Sequence, residues 1–249
     1  MPVKKKTKAP GQGMTAKQMK RRKPISQDYM LPIEPLTDNQ KVMFDAWDEG
    51  KMIYAYGVAG TGKTFVALYK ALKEVLDDYS PYEKIYIVRS LVATREIGFL
   101  PGDHEDKSSL YQIPYKKMVQ SMFEMPDDNA YEMLYDNLKA QETISFWSTS
   151  FIRGTTLDNS IVIIDECQNL NFHELDSIIT RVGQDSKIIF CGDAAQTDLQ
   201  KISERTGIID FQRILQNMEE FSMIEFGIED IVRSGLVKSY LINKINLGL

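Results

Sequence analysis

Cysteine, histidine and long apolar runs are all scarce in this chain of 249 residues. The two cysteines, Cys167 and Cys191, belong to no CxxC pair or Cys/His cluster. This argues against zinc and predicts small buried residues in a reduced, intracellular protein. With only two histidines, no Ser-His-Asp or Cys-His catalytic pattern has support. No apolar run approaches the roughly 20 residues of a membrane span, and the N-terminus lacks the apolar stretch of a secretory signal. We therefore expect a cytoplasmic protein with no membrane partner.

Acidic residues are missing from the first 27 positions, which hold nine of the 30 Lys and Arg residues. The remainder of the chain keeps 21 basic residues against all 35 acidic ones, so a basic segment precedes an acidic body. Residues 1–27 show no apolar periodicity, which predicts a disordered basic arm and a folded domain at 28–249. Such an arm can neutralise nucleic-acid phosphates, although a solubilising or targeting tail without a specific ligand fits equally well.

The stretch MIYAYGVAGTGKTFVALYKAL, residues 52–72, is the strongest signal in the sequence. Apolar residues lead into GVAGTGKT and an apolar helical pattern follows, so the GxxxxGK[ST] motif has the strand, loop and helix context that it needs. Its glycines let N–H groups turn toward phosphate oxygens, Lys63 offers an ammonium to the β- and γ-phosphates, and Thr64 offers a hydroxyl to Mg²⁺. The predicted nucleotide-binding residues are Gly57, Val58, Ala59, Gly60, Thr61, Gly62, Lys63 and Thr64.

Apolar periodicity predicts alternating strands and helices along most of the chain. The predicted strands are 52–56, 84–89, 143–147, 160–164, 187–191 and 222–226. The predicted helices are 37–48, 64–77, about 109–124, 128–140, 172–182, 205–218 and 236–246. Strand–helix–strand units at this spacing imply a single α/β domain with a mostly parallel central sheet flanked by helices.

The second strong signal is IVIIDECQN, residues 161–169. An apolar strand that ends in Asp165 and Glu166 puts two carboxylates at the edge where parallel sheets bind ligands. Asp165 would hold Mg²⁺ and Glu166 would polarise an attacking water. The other interpretation is a helix N-terminus with acidic capping residues.

Two glutamines are further candidates. Gln196 follows the apolar strand in KIIFCGDAAQ, where its amide would contact a γ-phosphate and the attacking water. An ordinary turn after the strand is the alternative. Gln40 precedes the GVAGTGKT loop by 17 residues, and its amide matches the N6 and N7 groups of adenine. Its alternative is a surface glutamine of a helix.

Gln40, the GVAGTGKT loop, IVIIDECQN and GDAAQ together resemble the first RecA-like domain of superfamily 1 helicases. More specifically, the chain is similar to the PhoH-family ATPases over about residues 35–245. The segments that carry this similarity are REIGFLPGD (95–103), FIRGTTLDNSIVIIDECQN (151–169), GDAAQTDLQ (192–200) and EDIVRSGLV (229–237). The resemblance implies a single RecA-like domain, ATP and Mg²⁺ as cofactors, and a role on RNA or single-stranded DNA. Ser90 stands where the family usually has proline, and Cys167 replaces a usual alanine.

Monomeric helicases of this kind complete their site with an arginine from a second RecA-like domain, and this sequence has no second P-loop. Phosphoryl transfer without an arginine finger is slower by about 10³–10⁵. We therefore expect a homo-oligomer, for which a hexameric ring is one arrangement, with Arg233 or Arg153 reaching across the interface. Arg89 and Arg205 are weaker candidates, and a structural ion pair is the alternative role for each.

The leading prediction is a Mg²⁺-dependent ATPase that acts on single-stranded nucleic acid as a helicase-like motor. The residues expected to carry the chemistry are Glu166, Lys63, Gln196, Arg233 and Arg153, with Thr64 and Asp165 on the metal. Two alternatives stay open: a P-loop small-molecule kinase, and a nucleotide-controlled binding protein with negligible turnover. So compact a chain is compatible with a phage genome, in which case the host cytoplasm would be its location.

Overall fold

The computed structural model describes residues 25–89, 104–152, 154–193 and 202–247. In these ranges helices cover both faces of one six-stranded sheet. The strands are β1 Met52–Gly57, β2 Lys84–Arg89, β3 Ile144–Ser148, β4 Ser160–Asp165, β5 Lys187–Cys191 and β6 Phe221–Phe226. The helices are α1 Asp38–Asp48, α2 Lys63–Val75, α3 His104–Gln120, α4 Asp128–Ala140, α5 Thr149–Ile152, α6 Phe172–Ile179, α7 Ile202–Gln216 and α8 Gly235–Asn246.

The strand order is β3-β2-β4-β5-β1-β6, and every strand pair is parallel. One strand, β5, therefore separates the phosphate-loop strand β1 from the carboxylate-bearing strand β4. Parallel pairing brings the carboxyl ends of all these strands to one edge of the sheet, where ligands bind in such folds. This arrangement confirms the predicted single α/β domain with a parallel central sheet flanked by helices.

Both faces of the sheet are buried, as the alternation along β4 demonstrates. Ile161 and Ile163 pack into the core beneath α1 to α4, whereas Val162 and Ile164 pack into the core beneath α6 and α7. Successive strand residues point to opposite faces, so a strand covered on both sides must be apolar at every position. This is why β4 and β5 read as continuous apolar runs in the sequence.

The predicted element types are confirmed, and the largest differences lie at helix ends. The helix predicted at 172–182 ends at Ile179 because the following residues turn to pair with Leu157, which exchanges hydrogen bonds of 2.9 Å with Arg181 and Gly183. The helix predicted at about 109–124 begins at His104 and ends at Gln120. There the chain turns back toward residues 29–31, and the Leu31 N–H donates to the Met122 carbonyl.

The packed domain begins earlier than position 28, the boundary predicted from composition. Ile25 is buried in the core, and a short 3₁₀ turn at Gln27–Tyr29 follows it. A single apolar residue in a polar segment carries no periodicity, which explains why the sequence did not reveal this anchor. Residues 1–24, the rest of the predicted basic arm, lie outside the described ranges.

Both cysteines are buried and unbridged, which confirms the prediction of small core residues. Burial raises the pKa of the Cys167 thiol to about 12 and that of Cys191 well above its ordinary value. Both thiols therefore stay protonated and unreactive at neutral pH. Among the helices of the described ranges, none combines the length and the apolar character needed to cross a membrane.

A buried lysine lies at the opposite end of the sheet from the carboxyl edge. Lys187 is only 3% exposed, and its Nζ donates to the Trp47 carbonyl at 3.0 Å while lying 4.5 Å from the Trp47 ring centroid. Burial lowers its pKa to about 8; Glu74 and Asp48 oppose the shift, and Lys70 adds to it. The protonated side chain is therefore held at a cost to the folded state.

Replacing Lys187 with methionine should change how stability depends on pH. Between about pH 8 and 10.5 the unfolded chain retains a proton on Lys187 that the folded chain has released, so this group makes stability rise with pH. Wild type should gain about 3 kcal/mol relative to Lys187→Met across that window. Urea unfolding at pH 7.5, 9 and 10.5 measures the difference, and parallel profiles for the two proteins would refute the assignment.

Candidate nucleotide site

The phosphate loop between β1 and α2 depends on glycine at two positions. Gly57 has a φ of +115°, and a Cβ there would lie 2.2 Å from the Phe226 carbonyl oxygen of the neighbouring strand. That same carbonyl accepts the Val58 N–H at 2.9 Å, which fixes the start of the loop. Gly62 precedes α2 with a φ of +86°. The first-turn N–H groups of α2 have no acceptor within the helix, so they are available to an anion.

Lys63 is buried against the loop that it follows. Its Nζ donates to the carbonyls of Val58 at 2.7 Å and Gly57 at 3.2 Å, and it lies 3.3 Å from the Thr61 hydroxyl. Burial lowers the pKa of the Lys63 ammonium, while the carboxylates around it oppose that shift. The ammonium thus lies beside the phosphate-binding backbone, and carbonyl oxygens hold it there.

Thr64 and Asp165 come together across the sheet edge. The Thr64 hydroxyl donates to Asp165 Oδ1 at 2.6 Å, although 101 positions separate the two residues in the chain. A hydroxyl and a carboxylate are hard oxygen donors, and Mg²⁺ in nucleotide sites takes one or two protein ligands together with phosphates and waters. The donor set therefore fits the Mg²⁺ that the sequence predicts. No cluster of three or more His, Cys, Asp or Glu in the described ranges suggests another metal site.

Glu166 follows the end of β4 in an unusual backbone conformation. Its φ of +52° is left-handed, a region that costs energy for a residue with a side chain. The Gln168 amide donates to Glu166 Oε2 at 2.7 Å and accepts the Asp193 N–H at 2.9 Å through its own oxygen. Gln168 is buried, so it ties the end of β4 to the turn after β5. Gln168 lies within IVIIDECQN, two residues after Glu166, but the motif alone does not indicate this bridging role.

Gln40 contacts the phosphate loop from α1. Its Oε1 accepts the Leu36 N–H at 2.8 Å, and its Nε2 donates to the Thr61 carbonyl at 2.9 Å. Each of these bonds occupies one of the two positions that each amide atom offers. Gln40 is only 4% exposed, so it is not the surface glutamine of the alternative interpretation. Its side chain lines the cavity and also supports the phosphate loop through its bond to Thr61.

Arg233 lies at the phosphate loop of its own chain. A Cβ on Gly60 would be 2.9 Å from Arg233 Cγ, and the Val232 N–H donates to the Gly60 carbonyl at 3.0 Å. Buried Asp230 anchors this segment by accepting from Asn39 at 2.7 Å. Although burial raises the pKa of Asp230, hydrogen bonds to its carboxylate lower it below the ordinary value. Arg233 lies there because the residues after β6 fold back over the loop. Its predicted role across a subunit interface stays a prediction.

A second arginine and a tyrosine complete the carboxylate side of the site. Arg89 of β2 is the register partner of Asp165; burial lowers the pKa of its guanidinium, but the nearby Tyr115 of α3 and Asp165 raise it above the ordinary value. The Tyr115 hydroxyl donates to Asp165 Oδ2 at 2.5 Å. Burial, followed by the nearby Asp165 carboxylate, raises the pKa of Tyr115, so the hydroxyl keeps its proton. Tyr115 lies in the helix predicted at about 109–124, but no motif there marks it as a site residue, whereas Arg89 is one of the weaker arginine candidates.

These residues line one cavity of about 550 Å³, a size typical of small-molecule and cofactor sites. Its lining combines the phosphate loop with apolar side chains of the N-terminal segment, α1 and α3, among them Ile33, Phe44 and Met118. The polar wall holds both arginines, Lys63 and the carboxylates of Asp165 and Glu166. A nucleotide offers the matching combination of an apolar base and an anionic phosphate chain.

Some predicted site residues fall outside the described ranges. These are Gln196, Arg153 and the segment REIGFLPGD at 95–103. Arg205 lies within α7, but its side chain is not among those described. Their assigned roles stay predictions.

A parallel α/β sheet, a GxxxxGKT loop and a strand-end carboxylate hydrogen-bonded to the loop threonine define the chain as a P-loop NTPase domain. The PhoH-like protein family matches residues 32–243. The chain therefore belongs to the PhoH-like family, as its sequence motifs predict.

Curated relatives agree with this membership. The PhoH-like protein of Bacillus subtilis is 32% identical over 210 residues, which are 81% of this chain and 60% of that protein. The PhoH-like protein of Mycobacterium leprae is 31% identical over 206 residues, or 82% of this chain and 56% of the relative. Protein PhoH of Escherichia coli K12 is 29% identical over 212 residues, which are 84% of this chain and 57% of that protein. The chain thus spans less than two thirds of the length of these relatives.

Two solved structures show weak similarity to this chain. The large terminase of a thermophilic bacteriophage, in complex with ADP, matches with a TM-score of 0.45 and 13% identity, over 83% of this chain and 49% of that one. Unliganded Pif1 from Bacteroides sp. matches with a TM-score of 0.37 and 16% identity, over 78% of this chain and 41% of the Pif1 chain. Similarity at this level does not indicate a shared function.

Proposed function

We propose that this chain is a Mg²⁺-dependent ATPase that acts on single-stranded nucleic acid as a homo-oligomeric, helicase-like motor. The observation that carries the proposal is the contact of Thr64 with Asp165 at 2.6 Å, beside Lys63 and Glu166 in one cavity. A hydroxyl, a carboxylate, an ammonium and a second carboxylate are the groups that metal-assisted phosphoryl transfer to water requires. The two buried thiols are compatible with cytoplasmic action.

Each group would have a distinct task on bound ATP. The N–H groups at the start of α2 would hold the β-phosphate, and Lys63 would exchange its carbonyl acceptors at Val58 and Gly57 for phosphate oxygens. Thr64 and Asp165 would hold the Mg²⁺, which supplies charge neutralisation on the phosphates when it is bound. Arg233 lies close enough to Gly60 to stabilise negative charge from within its own chain.

Glu166 is the proposed base that orients the attacking water. Its carboxylate accepts from the side-chain amide of Gln168, and an ionised carboxylate can accept several donors at once, a water among them. Gln168 also accepts the Asp193 N–H, so a movement of the turn after β5 would shift Gln168 and with it the carboxylate of Glu166. Gln196 lies three residues beyond that turn, which suits the predicted role of sensing the γ-phosphate.

The basic arm is the proposed contact with nucleic acid, and its removal tests this part of the proposal. A truncation that removes residues 1–23 deletes all nine basic residues of the segment and keeps the buried anchor Ile25. Single-stranded RNA or DNA should stimulate ATP hydrolysis by the full chain, and the truncated chain should lose most of that stimulation at low salt. Phosphate release with and without oligonucleotide, at 50 and 200 mM salt, measures both.

Basal hydrolysis without oligonucleotide should be equal in the two proteins, since the arm precedes the packed domain. Equal stimulation of both proteins would leave the arm without a role in nucleic-acid binding. Absence of stimulation in the full chain would contradict the motor function itself.

Exposed apolar side chains on α8 and at the residue after it support the homo-oligomer. Leu236, Tyr240 and Leu247 are 84%, 66% and 72% exposed, and the helix follows directly after Arg233 at the cavity. A second copy that covered this helix would lie beside the nucleotide. Specific ATPase activity should therefore fall on dilution as the particle mass from light scattering falls. Constant activity from a monomer at every concentration would contradict the oligomer.

A further inference from the structure

Tyr115 lies outside every nucleotide-binding motif, yet it contacts the proposed metal carboxylate. The side chain comes from α3 and is 2% exposed. Its ring packs against Phe146 with centroids 5.4 Å apart, so its position is fixed by packing as well as by polar contacts. Its hydroxyl donates to Asp165 Oδ2 at 2.5 Å, and the other carboxylate oxygen accepts from Thr64 at 2.6 Å.

We propose that Tyr115 is a positioning residue for Mg²⁺: it holds Asp165 in the orientation that the metal requires and makes α3 part of the metal site. This inference rests on the proposed function, in which Asp165 and Thr64 hold Mg²⁺. The two carboxylate oxygens of Asp165 accept from different residues, and only one of these residues is proposed to contact the metal itself. Thr64 would have to turn its hydroxyl oxygen toward a bound Mg²⁺, which would free Asp165 Oδ1 to help hold the metal. Tyr115 is not proposed to contact the metal, so its hydrogen bond to Asp165 Oδ2 would persist when Mg²⁺ binds.

Arg89 supports the same geometry from the other side. It ends the strand next to β4 as the register partner of Asp165, so its cation lies on the carboxylate side of the cavity, where Tyr115 donates to Asp165. Carboxylate ligands of metals are held in this way by hydrogen-bonding partners, and the loss of such a partner typically weakens metal affinity by about 10–100-fold. A carboxylate without Tyr115 would rotate, so binding the metal would also have to order it.

The decisive measurement is the Mg²⁺ dependence of nucleotide binding, with no turnover involved. A fluorescent AMP-PNP analogue is titrated onto wild type, Tyr115→Phe and Tyr135→Phe in EDTA and at rising Mg²⁺ concentration. Tyr135 is the matched control, because it is a buried tyrosine of α4 whose hydroxyl has no hydrogen-bond partner among the described residues. Thermal unfolding in EDTA checks that each variant is folded.

In Tyr115→Phe, the Mg²⁺ concentration that gives half of the maximal increase in analogue affinity should be about tenfold higher than in wild type. Its affinity in EDTA should stay within about twofold of wild type, because the hydroxyl contacts Asp165 and not the phosphate-binding loop. Tyr135→Phe should match wild type in both measurements. A folded Tyr115→Phe variant with the wild-type Mg²⁺ midpoint, or a lower one, would overturn the positioning role alone. A wild-type protein that binds the analogue without any Mg²⁺ effect would overturn the proposed function, and this inference with it.

Discussion

Glu166→Gln is expected to lower the rate of ATP hydrolysis by about 10²–10⁴-fold, because glutamine cannot accept a proton from the attacking water. The substitution keeps the size of the side chain, and the amide oxygen can still accept the bond from Gln168 that Glu166 Oε2 accepts at 2.7 Å. The site should therefore keep its shape and bind ATP as tightly as wild type or more tightly. Single-turnover phosphate release and equilibrium ATP binding measure the two effects separately.

The control is Glu132→Gln, the same chemical change on α4, where Glu132 pairs with Lys116. It should leave both the rate and the affinity unchanged. Retained hydrolysis in Glu166→Gln would remove Glu166 from the mechanism. Equal loss of rate and of ATP binding would instead mean that the carboxylate serves the structure of the site.

Lys63→Ala is expected to weaken ATP binding by about 10–100-fold, since the ammonium is the charged donor closest to the phosphate loop. The loss should be larger for ATP than for AMP, which lacks the β- and γ-phosphates that Lys63 is proposed to contact. Isothermal titration with ATP, ADP and AMP at fixed Mg²⁺ gives the comparison. An equal loss for all three nucleotides would show that the loop had collapsed without the hydrogen bonds of Lys63 to Val58 and Gly57.

Lys70→Ala provides the matched control on the same helix. Lys70 is also buried, but it pairs with Asp48 at 2.6 Å and is not among the residues that line the nucleotide cavity. Its loss should lower thermal stability without changing the affinity for any of the three nucleotides. A nucleotide-affinity loss as large as that of Lys63→Ala would deny Lys63 a specific role.

The fold was predictable because its signals are local. Each strand that is covered on both faces appears as an apolar run, and the GVAGTGKT loop announces the turn between β1 and α2 in eight consecutive residues. The contact of Thr64 with Asp165 has a similar origin. The strands β1 and β4 are parallel, with β5 between them, so they end at the same edge of the sheet. Motif spacing and sheet topology were enough to anticipate it.

The residues that the sequence did not reveal are those placed by tertiary packing. Tyr115 reaches Asp165 because α3 packs over the sheet, and no pattern in its own segment encodes that approach. The position of Arg233 depends on a turn held by Asp230 and Val232, which contact α1 and the phosphate loop. Ile25 anchors the N-terminal segment as one apolar residue among polar ones. Such contacts join distant parts of the chain and leave no periodic signature.

The central claim is that this P-loop site transfers the γ-phosphate of ATP to water, and phosphate release measures it directly. Full-length protein with ATP and Mg²⁺, and with no acceptor molecule, should release phosphate linearly with time. The release should stop in EDTA and fall to background in Glu166→Gln. Tight ATP binding by the wild type with release no faster than Glu166→Gln would contradict the claim and leave a nucleotide-controlled binding protein or a kinase that requires an acceptor.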